Sequence, residues 1–130
     1  MLHYTLMPQD SEIGSGHVVN TVPPKWFEQA RIATYQPVEQ RTGPNAVFGL
    51  VRSASYDYLR ELWPGIEVEI RTGLHSIGNT SVVFYQEAWQ QGQLAVTGKT
   101  VVVMIDRDKR IKLAFSPASR EYLAGLLIAP

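Results

Sequence analysis

Cysteine is absent from the 130 residues. Disulfides, thiolate metal centres and cysteine nucleophiles are therefore excluded, while the compartment is left open. Surplus charge is also missing: Lys plus Arg and Asp plus Glu number 12 each. That balance gives no electrostatic ground to expect nucleic acid or an anionic membrane as partner. No uninterrupted apolar stretch approaches the ~20 residues that a membrane helix needs. Residues Met1 to Pro8 lack the basic region and apolar run of a secretory signal, so a soluble cytoplasmic protein is expected. No repeat and no low-complexity tract occurs. His3, His17 and His75 are scattered, so no metal site is expected, nor any redox cofactor; a phosphate-cradling glycine loop is also missing. The length predicts one domain over residues 1–130 with a real core.

What is present begins with an apolar alternation from Leu2 to Met7, read as a first strand. Pro8 to Gly16 reads as a loop. Thr21 is a possible N-cap, and Pro23 and Pro24 are tolerated only in a first helical turn. Val22, Trp26, Ala30 and Ala33 form a stripe, which predicts a helix of about three to four turns ending before Pro37. Glu28 and Arg31, three apart, are placed to pair on its surface. Gln40 to Asn45 reads as a loop. From Ala46 the period becomes two, with Phe48, Leu50, Ala54, Tyr56 and Tyr58 on one face and Arg52 the exception. Ile66, Val68, Ile70, Thr72 and Leu74 alternate with polar or small residues, and His75 falls on the polar face. Ser81 to Trp89 and Leu94 to Ile105 are further strands, joined at Gln91-Gly92. Asp106 to Arg110 reads as a charged turn. Ser116 caps a terminal helix running to about Leu127. Short turns demand antiparallel neighbours, and one helix must cover one face of the sheet. More apolar surface remains than one helix covers, so self-association is expected.

Gly16-His17-Val18-Val19-Asn20 precedes the only strong helix signal. Polar side chains and free backbone N–H groups thus gather at a helix N-terminus, which suits a polarised carbonyl or an anion. Pro23 and Pro24 supply no donors, so any oxyanion donors come from His17 to Thr21. Asn20 also reads as a helix cap, and Glu12 as a solvated loop carboxylate. Tyr56, Tyr58 and Trp89 read as core or interface as well as pocket wall. Arg71, Lys99, Lys109 and Lys112 could meet phosphates or could be plain surface.

Gly16-His17-Val18-x-Asn20 followed by Trp26-Phe27-Glu28-x-Ala30-Arg31 resembles the hotdog-fold thioesterases of the 4-hydroxybenzoyl-CoA and YbgC-like type. Ile77-Gly78-Asn79-Thr80-Ser81-Val82, Val101 to Asp106 and Pro117-x-x-x-Arg120 are similar to later segments of that family. The resemblance implies an α+β hotdog fold, a long central helix wrapped by a curved antiparallel sheet of about five strands. It implies hydrolysis of acyl-CoA or acyl-carrier-protein thioesters in a homodimer or homotetramer. The family's acidic residue lies three before the glycine matching Gly16, where this chain has Ile13, with Glu12 and Asp10 nearby. The resemblance thus points to Glu12 as base or nucleophile, with His17 and Asn20 assisting. Gly16, Val18, Val19, Thr21, Tyr56, Asn79 and Ser81 are the substrate-binding candidates. Ile13 also leaves open a non-hydrolytic module that binds acyl groups or serves in assembly.

Overall fold

The computed structural model describes residues 1–42 and 46–128. Five strands form one antiparallel sheet: β1 (Leu2–Leu6), β4 (Val47–Tyr58), β5 (Val68–Ile77), β6 (Ser81–Gln90) and β7 (Gln93–Asp106), in the order β1-β5-β6-β7-β4. A two-residue pair, β2 (Ile13–Gly14) with β3 (His17–Val18), precedes helix α1 (Val22–Thr42). Helix α2 (Pro117–Ala124) is capped by Ser116, whose Oγ accepts from the Ser119 N–H at 3.2 Å; it ends before the expected Leu127, because Leu126 to Ile128 bond back to Leu74 of β5. Gln91 and Gly92 both have positive φ (52° and 71°), the geometry a tight hairpin requires between β6 and β7.

Helix α1 does not stop before Pro37; it carries that proline inside it and continues to Thr42. The expected loop from Gln40 is therefore helix at its start, and its part from Gly43 to Asn45 lies outside the described residues. Packing overrides the proline. Val38, one residue later, is fully buried, and Tyr122 of α2 donates its hydroxyl to the Thr34 carbonyl at 2.7 Å. The buried stripe is Trp26, Phe27, Ala30, Arg31, Thr34, Tyr35 and Val38, while Ala33 is exposed.

Strand β4 corrects the expected face. Val51 pairs with Val102 and Ser53 with Val101, so Arg52 is an extra residue, a bulge. The parity of the strand switches there. Gly49 faces the Tyr35 ring and Val102, and Tyr56 stacks on Phe27 with ring centroids 6.1 Å apart. Phe48 and Leu50 thus point away from the helix, and do not share the face of Tyr56. A second bulge between Leu74 and Ser76 leaves His75 exposed, as its polar-face position predicts.

The core under α1 is split in two. Val18, Trp26, Phe27, Ala30, Leu62, Val68, Ile70, Ala88, Ala95 and Val96 form one cluster. Tyr35, Val38, Val47, Leu74, Val82, Phe84, Val102, Met104, Phe115 and Leu123 form the other. Between them runs a buried polar belt. Gln86 donates to the Phe27 carbonyl and to Thr72 Oγ1, both at 3.0 Å, and accepts from Arg31 at 3.1 Å. Each of these Gln86 contacts matches a buried donor with an acceptor, which is the condition for keeping polar groups there.

Candidate active site

The loop after β4 is built onto the sheet. Leu59 and Arg60 both donate their N–H groups to the Ala95 carbonyl, at 2.8 and 3.1 Å. Buried Gln90 then clamps the far side. Its Oε1 accepts from the Trp63 N–H at 2.8 Å, and its Nε2 donates to the Trp63 and Ile66 carbonyls at 2.9 Å. The loop meets the segment before α1 through the Val18 N–H, which donates to the Leu62 carbonyl at 2.8 Å. Tyr58, at the end of β4, donates its hydroxyl to the Asn20 carbonyl at 2.7 Å. These contacts enclose a cleft of about 220 Å³ at the start of α1, lined by His17, Asn20, Pro23, Tyr58, Arg60 and Glu61 among others.

Backbone accounting narrows the donors. Val18, Val19 and Val22 spend their N–H groups on the carbonyls of Leu62, Glu12 and Val19. The N–H groups of Asn20 and Thr21 have no partner among the described residues, and both residues are exposed. His17 Nδ1 lies 2.9 Å from the Val18 carbonyl oxygen. A carbonyl can only accept, so Nδ1 carries the proton and a neutral ring keeps its lone pair on Nε2. The cleft is thus lined by the His17 imidazole and by Asn20 with its unpartnered amide, while Thr21, the next residue, is not among its walls.

His17, Val18, Asn20 and Pro23 come together here; Glu12 does not join them. It closes the short 3-10 turn Asp10–Glu12, where Oε1 accepts from the Gln9 N–H at 2.8 Å and Oε2 from the Trp26 indole at 3.0 Å. It lines a separate cleft with Tyr4, Gln9, Lys25 and Trp26. Asp10 is exposed, and Ile13 packs against the first core cluster. Gly16 sits at φ 84° in the turn between β2 and β3. Val19 is exposed and Tyr56 is stacked against the core.

Asn79 and Ser81 lie elsewhere. Ser81 pairs with Val103, seven residues along β7 from the cleft's Val96, about 23 Å at the rise of a strand. Their carbonyls hold Phe115 and Gly78 in place. Arg71 bonds Glu69 and covers the Trp89 ring at 4.2 Å, while Lys99, Lys109 and Lys112 are exposed. The expected surface pair of Glu28 with Arg31 is not formed. Arg31 turns inward to Gln86 and Thr100, because its long side chain completes the polar belt. Glu61, Arg60 and the Gln90 clamp carried no sequence signal, since a loop carboxylate or a strand-end glutamine has no periodicity to mark it.

An α+β hotdog architecture with a donor-lined cleft at the N-terminus of its central helix defines the class. The sequence model of the thioesterase-like superfamily matches residues 14–124, and the chain belongs to that family. The uncharacterized protein YsmA of Bacillus subtilis (strain 168) is 25% identical over 109 residues, covering 83% of this chain and 74% of that protein. Among solved structures, a predicted thioesterase from Bacillus stearothermophilus matches with a TM-score of 0.90 at 27% identity, covering 98% of this chain and 97% of the other. A thioesterase from Thermus thermophilus, complexed with coenzyme A and zinc, has the same fold, with a TM-score of 0.82 at 23% identity over 98% and 95%.

Proposed function

We propose that the protein is an acyl-CoA or acyl-carrier-protein thioesterase whose reaction occurs in the cleft at the start of α1. The observation that carries this reading is the N–H of Asn20, unpartnered among the described residues, in the cleft that His17 also lines. Coenzyme A in the Thermus thermophilus structure supports a CoA thioester as substrate. Water attacks the thioester carbonyl carbon and gives its proton to His17 Nε2. The oxyanion accepts from the Asn20 amide, a donor of this kind being worth about 3 kcal/mol in the transition state. The C–S bond then breaks and the thiolate takes the proton from the imidazolium. Glu61 shares the cleft and supplies its carboxylate. Asn20 orients the water, and Glu12 positions Trp26 and the entry to α1. A homodimer or homotetramer in the cytoplasm is the accompanying proposal, with the exposed edge of β4 as the sheet surface available for pairing.

A panel of acyl-CoAs and acyl-carrier proteins with a thiol reagent tests the reading. Thiol release is expected with at least one, and His17→Gln is expected to lower kcat by about 10²-fold or more. Absence of release from every thioester overturns it. The second reading, non-hydrolytic acyl binding, is favoured by Glu12, whose two oxygens are both engaged. Acyl-CoA binding without turnover is its signature.

A further inference from the structure

The polar belt of the core ends at a second cleft, where Arg31 makes no salt bridge among the described residues. Arg31 is 7% exposed, and its Nη1 donates to Gln86 Oε1 at 3.1 Å and to Thr100 Oγ1 at 3.4 Å. Its Nε and Nη2 have no acceptor among the described residues. Tyr35, one turn further along α1, is 4% exposed, and its hydroxyl likewise has no hydrogen-bond partner among them. Both side chains line a cleft of about 190 Å³ between α1 and β4, whose walls combine apolar residues such as Ile32, Val51 and Val102 with Gly49 and the carboxylates of Glu28 and Glu39. A Cβ on Gly49 would lie 2.8 Å from Val102 and 3.1 Å from the Tyr35 ring, so glycine lets the strand come this close.

A buried hydroxyl without a partner is costly, and the Nε and Nη2 of Arg31, which are not sealed from solvent, offer two further donors at the cleft. One occupant satisfies both. A carboxylate accepts two parallel N–H bonds from the planar guanidinium fork and a third from a phenol. Burial, with Glu39 nearby, raises the Tyr35 pKa, so the phenol remains a donor. The apolar walls suit a carboxylate borne on a hydrocarbon body better than a hydrated phosphate. The charge of Glu28 and Glu39 opposes any anion in the cleft, so binding requires direct hydrogen bonds to the Arg31 fork to outweigh it.

Both clefts open along the same seam. The first takes in Pro23 of α1 and Tyr58 of β4, the second Arg31 and Val51. Eight residues of helix separate Pro23 from Arg31, about 12 Å. The Phe27–Tyr56 ring pair lies between them. We propose, resting on the thioesterase reading, that this second cleft binds the distal carboxylate of the acyl chain, so that the preferred substrates are thioesters of dicarboxylic acids.

The site is tested without any thioester by titrating the protein with hexanoate, and with hexanol as the uncharged control, while following backbone amide shifts. Hexanoate is expected to shift the resonances of Arg31, Tyr35 and Gly49 and to bind about tenfold or more tightly than hexanol. Tyr35→Phe removes a hydroxyl with no partner among the described residues, so it is expected to fold as the parent does and to bind hexanoate several-fold more weakly. Arg31→Met is expected to abolish binding. A second arm compares kcat/KM for sebacoyl-CoA and decanoyl-CoA, whose chains match the separation of the clefts, with a preference for sebacoyl-CoA that Tyr35→Phe reduces. Turnover of decanoyl-CoA with no hexanoate binding at Arg31 overturns the carboxylate site and leaves the thioesterase reading standing. Hexanoate binding at Arg31 with no turnover of any thioester upholds the carboxylate site and overturns the thioesterase reading. A change in self-association in either variant, with no hexanoate binding, assigns the cleft to a second copy of the chain and overturns the inference.

Discussion

Trp26 donates its indole N–H to Glu12 Oε2 at 3.0 Å, and this bond ties the turn before the site to the first turns of α1. Because Glu12 also accepts from the Gln9 N–H, one carboxylate satisfies two donors. Glu12→Ala is expected to cost about 1–3 kcal/mol in urea denaturation. Glu12→Gln keeps an acceptor oxygen and should lose less than half of that. Turnover by the Gln variant is expected within about twofold of the parent, since removing a true general base costs 10²-fold or more. A loss of that size would place Glu12 in the chemistry.

Gln90 makes three hydrogen bonds to the loop that walls the site. Gln90→Ala should leave the sheet intact and free the Trp63 amide. Hydrogen exchange at Trp63 is expected to speed up by at least tenfold, while amides in β6 and β7 keep their protection. Uniform loss of protection would mean that the residue holds the whole sheet and not the loop.

Gly98 lies against the Phe27–Tyr56 stack. A Cβ there would sit 3.0 Å from Phe27 and 3.1 Å from Tyr56. Gly98→Ala is expected to destabilise by about 1–3 kcal/mol through overpacking, read as a lower urea midpoint at unchanged slope. An unchanged midpoint would show that the ring pair yields.

Tyr85 donates to Glu87 Oε2 at 2.8 Å, and burial together with that carboxylate pushes its pKa up to about 12. The folded state therefore holds this proton more tightly than the unfolded chain, whose tyrosine titrates near 10. The stabilisation is fully present below about pH 10 and is lost as pH rises through about 12. Urea midpoints measured at rising alkaline pH should fall less steeply for Tyr85→Phe than for the parent. Equal slopes would sink the assignment.

The sheet was legible because its strands alternate cleanly and Gln91-Gly92 marks the turn between β6 and β7. Arg52 even marked its own bulge as the exception in β4, but a period of two cannot say that the parity switches after it. The end of α1 was not legible, because the proline signal is local and the burial of Val38 is not. The same holds for Arg31: spacing along one helix suggested Glu28, whereas its partners sit on strands more than fifty residues away. For the site, the motif located His17 and Asn20. Where Glu12 points is decided by Trp26 and Gln9, and Glu61 reaches the cleft through long-range contacts of its loop.

The strand order carries a consequence for how the molecule comes into being. Both edge strands, β1 and β4, precede the meander β5-β6-β7 in the chain, yet each pairs only with a member of it. During synthesis the segment from Met1 to Tyr58 emerges with both of its strands of the main sheet, β1 and β4, still without partners. Those long-range pairings close only after the later strands exist, and such non-local contacts form slowly. The cleft, which needs Leu62 and Val96 as well as His17, is therefore among the last features of the protein to be assembled.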